Sequence, residues 1–179
     1  MGTPKKAPPV KRFCGIIYQE ENLYQQARLK LISHWGQLDA QAGPWPFSFT
    51  KYYESEMGQN LKRCFFSFKQ PVFPEECFAW KLLTNQLEQE LSFPDGRRRV
   101  NLDPGYLELS RVVLLTTKNF SHRIYLGEGI YAEVTLLFRQ GEFIPLPWTY
   151  PDYRTCAYLD FFRHIRELYW QGLRDDEKG

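Results

Sequence analysis

The sequence predicts an α+β fold: a single domain with a mixed or antiparallel sheet, a ferredoxin-like βαββαβ half, an added β-hairpin and a C-terminal helix. Three observations predict it. Apolar stripes at helical spacing occur three times, short aromatic or β-branched runs stand between them, and Gly127-Glu128-Gly129 joins two alternating segments as a hairpin loop would. Each helical stripe leaves a polar remainder, so the helices should cover one face of a sheet rather than form a bundle.

In chain order, Phe13–Tyr18 is an apolar run suited to a buried strand. Asn22 can cap a helix carrying Tyr24, Ala27, Leu31 and Trp35, and Gly36 can end it. Gly43-Pro44-Trp45-Pro46 opposes regular structure. Beyond it Phe47–Tyr53 and Lys62–Phe68 read as extended, with residues 54–60 connecting them. Pro74 in a first turn and Ala79, Leu82, Leu83, Leu87 and Leu91 on one face make the second helix, stopped by Pro94-Asp95-Gly96. Asp103-Pro104-Gly105 predicts a turn, and Leu107–Thr117 a strand, with a short turn around Ser110 as the alternative. The hairpin occupies His122–Phe138. Pro145, Pro147 and Pro151 impose an irregular stretch, and Tyr158, Phe161, Phe162, Ile165, Leu168 and Tyr169 mark a last helix ending near Gly172. The domain should span residues 11–173, between mobile tails at 1–10 and 174–179.

Composition narrows the function classes. The chain has 179 residues, 43% hydrophobic and 25% charged, enough for one core without disulfides or a structural metal. A net charge of +2 gives no strong nucleic-acid signature. No apolar run is long enough to span a bilayer, and Met1–Val10 lacks the apolar centre of a signal peptide, which predicts a cytoplasmic protein. Cys14, Cys64, Cys77 and Cys156 show no metal-ligand spacing, so reduced thiols and no metal site are expected. The residues assign no cofactor.

Three strings stand out together: PFSFTKYYESEMG at residues 46–58, RRVNLDPGYLELSRVVLLTTKNFSHRIYLGEGIYAEVTL at 98–136, and PLPWTYPDYRT at 145–155. Through them the chain resembles the bacterial family catalogued as domain of unknown function 4416, over nearly its whole length between the tails. The resemblance implies no established activity and transfers no catalytic residue. Some members carry the label of GTP-binding protein, but neither G-x-x-x-x-G-K-[ST] nor G-x-G-x-x-G occurs here.

The hairpin register supplies the sharpest candidate site. A three-residue loop at 127–129 sets Leu126 opposite Ile130, Tyr125 opposite Tyr131, Ile124 opposite Ala132 and Arg123 opposite Glu133. Ile124, Leu126, Ile130, Ala132, Val134 and Leu136 then form a core face. Arg123, Tyr125, Tyr131 and Glu133 form a polar one, with Thr116 beside Arg123 across a tight connection and His122 pointing the other way. Arg123 can take an anion bidentately and the tyrosines can stack on a ring. The bland alternative is a solvated cross-strand ion pair.

A second cluster, Asn101, Asp103, Tyr106 and His122, offers amide, carboxylate and imidazole groups, although Asn and Asp beside Pro-Gly are also ordinary turn residues. One straight strand over 107–117 would hold Asp103 and Thr116 more than about 30 Å apart, whereas a turn at Ser110 would bring them together. Arg97-Arg98-Arg99 reads as a solvated loop, and the aromatics of residues 47–53 and 148–153 as core or lid. Three function classes follow. The first is a small ligand-binding module for a nucleotide, RNA or other phosphorylated ligand. The second is a hydrolase- or transferase-type enzyme using Asp103, His122 or Glu133, and the third is a domain binding a protein partner through its aromatic, Pro-rich segment.

Overall fold

A computed structural model describes residues 2–176. The first strand, β1 (Lys11–Tyr18), is buried throughout, as its apolar run requires. Helix α1 (Glu21–Trp35) follows. Glu20, not Asn22, occupies its cap position, and no side chain caps it; Asn22 lies inside the first turn. Gly36, at φ +88°, ends the helix by donating its N–H to the Ile32 carbonyl.

The Gly-Pro-Trp-Pro stretch departs from expectation, because β2 (Leu38–Pro46) runs through it. Its prolines are tolerated because β2 is an edge strand with two register shifts against β3 (Lys62–Phe68). Residues 47–53 are not a strand but a loop leading into the short helix α2 (Glu54–Met57). A 3-10 turn at Pro74–Glu76 opens α3 (Cys77–Glu90), whose buried stripe is Cys77, Lys81, Thr84, Leu87 and Glu88. Leu82, expected inside, is exposed.

The largest correction is β4 (Val100–Glu108), a strand that passes straight through Asp103-Pro104-Gly105 between β1 and the next strand, β5 (Arg111–Thr116). Proline inside a sheet normally breaks a ladder. Here the Leu102 N–H points away from β1, toward α3, and with the two-residue strand period the Pro104 nitrogen points the same way. The β5 ladder begins only at Gly105, so no ladder bond is lost. A turn at Leu109-Ser110 folds β5 back on β4, and the single strand over 107–117 is not formed.

The remaining strands are β6 (Ile124–Gly127), β7 (Ile130–Arg139) and β8 (Glu142–Pro145). A 3-10 turn at Pro151–Arg154 precedes α4 (Cys156–Asp176), which continues past Gly172 because Leu173 still packs on the core. Of the expected C-terminal tail, residues 177–179 lie outside the described residues. No described helix is long and apolar enough to cross a membrane.

All strand pairs are antiparallel, in the order β2-β3-β1-β4-β5-β7-β6, with β8 beside the second half of β7. The first four strands form the βαββαβ half: β3 lies between β1 and β2, and β1 lies between β3 and β4. Helices cover both faces, not one. Cys14, Ile16, Tyr18, Phe66, Val100 and Leu102 pack against α1 and α3. Phe13, Phe65, Leu107, Val112, Leu136 and Phe143 pack against Tyr158, Phe161, Phe162, Ile165 and Tyr169 of α4.

The hairpin keeps Tyr125 opposite Tyr131 and Ile124 opposite Ala132, but Gly127, not Leu126, faces Ile130. A bulge leaves Leu126 unpaired and shortens the loop to Glu128-Gly129. A second irregularity, with Val113 opposite Val134 and Val112 opposite Leu136, turns Leu136 to the α4 side while Ile130 and Ala132 face α3. One uninterrupted core face is therefore absent. Ile124, expected in the core, is 71% exposed because β6 is an edge strand beyond the reach of α3. Ile124→Ala should therefore change unfolding free energy by no more than about 0.5 kcal/mol, and a loss above about 2 kcal/mol in urea titration would contradict this placement.

Candidate functional site

On the α4 side of the sheet, beyond the end of that helix, lies a cavity of about 350 Å³, within the range of small-ligand sites. Its floor comes from five strands through Ile17, Arg63, Asn101 and Asp103, Leu114 and Thr116, and Glu133. Strand alternation explains the set: Arg63 is opposite Ile17, Ile17 opposite Asn101, and Leu114 opposite Glu133, and facing residues share one side of a sheet. The loop 47–53 forms the lid and residues 150–153 the side wall.

Arg63 anchors the floor. It is 2% exposed, donates from one terminal nitrogen to Asp103 Oδ2 at 2.9 Å and from the other to the Tyr153 hydroxyl at 2.8 Å. Only glycine fits beside it at residue 15, where a Cβ would stand 2.5 Å from the guanidinium. Burial opposes ionisation of Asp103, but the charges of Arg63 and Lys81 outweigh it and hold the carboxyl below its ordinary range. Burial pushes Asp152 up, only partly offset by Arg63.

α3 contributes through a gap in the sheet. Where β4 and β5 part, Glu88 accepts the Leu102 N–H at 2.6 Å and Lys81 donates to the Leu102 carbonyl at 2.8 Å, so side chains complete the strand edge. Burial raises the Glu88 carboxyl above its usual range, while Lys81, 3.7 Å away, works against the shift. The lid is fastened by Arg98, which grips Glu56 through Nε at 2.7 Å and a terminal nitrogen at 2.9 Å and also donates to Asn101 at 3.1 Å. Arg98 is thus not a solvated loop residue; Arg97 and Arg99 pair on the surface with Asp95 and Glu20. Asn101 helps hold Asp103 ionised, yet its Nδ2 makes no hydrogen bond of good geometry and, like Arg63 Nε, is buried without an acceptor.

The two expected clusters are both divided, and their parts meet in this cavity. Thr116 and Glu133 from the first join Asn101 and Asp103 from the second. The turn at Leu109-Ser110 removes the distance objection. Thr116 stands opposite Tyr131 rather than beside Arg123, because β7, not β6, pairs with β5. Tyr125 and Tyr131 pack on each other, 5.2 Å between ring centres, and neither lines the cavity. Tyr106 faces the other side, against Trp80.

Arg123 is not aimed at an anion. Its side chain is buried and fully engaged, donating to Glu133 at 2.7 Å, to the Lys118 carbonyl at 2.9 Å and to the Tyr150 hydroxyl at 2.8 Å. His122 does not point away: its Nε2 lies 3.2 Å from Glu133 and its ring stacks on Trp148 at 5.1 Å. Arg123 therefore holds Glu133 in the cavity floor without lining the cavity itself.

Sequence reasoning missed Arg63, Lys81, Glu88, Arg98, Lys118 and Asp152. Arg63 shares strand parity with Phe65, and Lys81 and Glu88 share helical spacing with Cys77 and Thr84, so periodicity places all three inside once charged residues are admitted to an inward face.

These features define an α+β domain with a polar, aromatic-rimmed cavity at the meeting point of two sheet halves. Residues 8–169 match the family described as domain of unknown function (DUF4416), and the chain belongs to that family. No curated protein and no solved structure matches it.

Proposed function

We propose that the domain is a cytoplasmic module that binds a small, ring-containing phosphorylated ligand, with a mononucleotide as the leading class. The observation that carries this reading is Lys118 at the cavity, its ammonium 4.0 Å from the centre of the exposed Tyr52 ring. Among the described residues Lys118 makes no ion pair, whereas Arg63, Lys81 and Arg98 are matched to Asp103, Glu88 and Glu56. A ligand phosphate can meet that amine and the hydroxyls of Thr116 and Thr117, while its ring lies against Tyr52 and Phe49. The cavity volume suits a mononucleotide, and the near-neutral chain offers little to a polyanion such as RNA. Three buried free thiols and one exposed free thiol fit a reducing compartment.

Calorimetric titration with mononucleotides and the matching nucleosides tests the reading. Lys118→Ala should weaken nucleotide binding about tenfold, equivalent to about 1.4 kcal/mol, and leave nucleoside binding unchanged. Tyr52→Ala should weaken both. If the unmodified protein binds no mononucleotide, or Lys118→Ala binds as tightly as it does, the reading fails.

An acid–base enzyme is the second reading. It is favoured by neighbouring carboxyls pushed apart in acidity, Asp103 downward and Asp152 and Glu88 upward. Product formation from the same nucleotides would establish it, and unchanged nucleotides after prolonged incubation would exclude it for that class.

A further inference from the structure

Asp152 lines the cavity and is 6% exposed, yet among the described residues its carboxylate makes no ion pair and no side-chain hydrogen bond. Burial holds this carboxyl above its ordinary range, and the Arg63 charge and the backbone N–H groups of Asp152 and Tyr153 only partly offset it. Every other carboxylate of the cavity is engaged. Asp103 is held by Arg63, Glu88 by the Leu102 N–H and Lys81, and Glu133 by Arg123, His122 and Thr135. Arg63 makes no hydrogen bond to Asp152: its terminal nitrogens donate to Asp103 and Tyr153, and its guanidinium lies 4.8 Å from the centre of the Phe65 ring. Its oxygens are not among the buried atoms without a partner, so they open onto the cavity, and an ionised carboxylate accepts hydrogen bonds from whatever donor enters there.

We propose that Asp152 receives N–H donors of the ligand's ring, so that the site selects nitrogen heterocycles bearing an amino group over analogues that lack it. This deepens the nucleotide reading and rests on it: Lys118 would take the phosphate, Tyr52 and Phe49 the ring face, and Asp152 the polar ring edge. A pocket built to accept from N–H rejects an analogue without that donor more strongly than an apolar pocket rejects a missing methylene, because its own acceptor is left buried and unpaired.

The probes are nucleoside 5'-monophosphates in matched pairs that differ at one exocyclic amino group: guanosine against inosine, and adenosine against purine riboside. All four carry the same phosphate, so Lys118 treats them alike. In at least one pair the amino member should bind about tenfold or more tightly, and Asp152→Asn should reduce that ratio to about twofold or less. Equal binding of both members in each pair by the unmodified protein overturns the assignment, and does so even if Asp152→Asn fails to fold. Retention of the preference in folded Asp152→Asn overturns it equally. Binding with no amino preference leaves the nucleotide reading standing and removes only Asp152's role; absence of binding by all four removes both.

Discussion

Replacing Arg63 with methionine is expected to cost about 3 kcal/mol of folding free energy, because the buried guanidinium is lost and its partner Asp103, with a side chain 27% exposed, stays behind. Asp103 would lose its 2.9 Å partner, the Tyr153 hydroxyl its donor, and Asp152 its compensating charge. The vacated volume would be refilled by the methionine stem, so the loss reports charge rather than a cavity. Adding Asp103→Asn to Arg63→Met should recover part of the loss, since the stranded carboxylate disappears. Urea denaturation of the two single variants and the double variant measures this coupling. A loss below about 1 kcal/mol for Arg63→Met would show that water reaches the floor of the cavity and that the pair is not structural.

The second large effect is expected at Phe65, the centre of the aromatic layer under α4. Its ring lies 4.8 Å from Tyr158, 5.2 Å from Phe161, 5.5 Å from Phe162 and 5.6 Å from Tyr153, and it is fully buried. Phe65→Ala should cost about 3–5 kcal/mol, toward the upper figure because rings on several sides cannot collapse together into the space. Phe65→Leu should cost clearly less. Equal losses for the two variants would mean that the layer repacks freely and that ring geometry contributes little. Since Phe65 also supports the Arg63 guanidinium, Phe65→Ala should weaken ligand binding as well, although Phe65 does not line the cavity.

The sequence reveals elements whose local signals agree with their final surroundings. α1 buries the apolar residues its helical spacing picks out, Lys62–Phe68 is apolar enough to be a buried strand, and Tyr125 faces Tyr131 as the hairpin predicts, although a two-residue loop with a bulge replaces the three-residue loop. Local signals fail where a distant segment decides. Pro104 looks like a turn residue until α3 and a delayed β5 remove the need for its N–H, and the prolines of β2 look disruptive until the strand proves to be an edge. The cavity was half legible. Thr116 and Glu133 stood out as polar residues on expected strands and Asn101 and Asp103 as residues of an expected turn, but their convergence depends on the two-residue turn at Leu109-Ser110. Arg63, Lys81 and Glu88 were hidden by the rule that inward positions are apolar, a rule that buried, partnered charges violate.

The strand order also has a consequence for how the molecule acquires its site. β4, β5, β7 and β8 are sequential or nearly sequential neighbours, so that end of the sheet can assemble from contacts close in the chain. β1, by contrast, pairs with β3 and with β4, some fifty to ninety positions downstream, and each pairing must close a long loop. Arg63 comes from the long-range half and Glu133 from the local one, and β4, carrying Asp103, is the seam between them. The cavity is therefore absent from any intermediate in which only one half has formed. A ligand held there favours the finished molecule over every partly assembled one, and its occupancy should slow unfolding of the whole domain rather than of one segment.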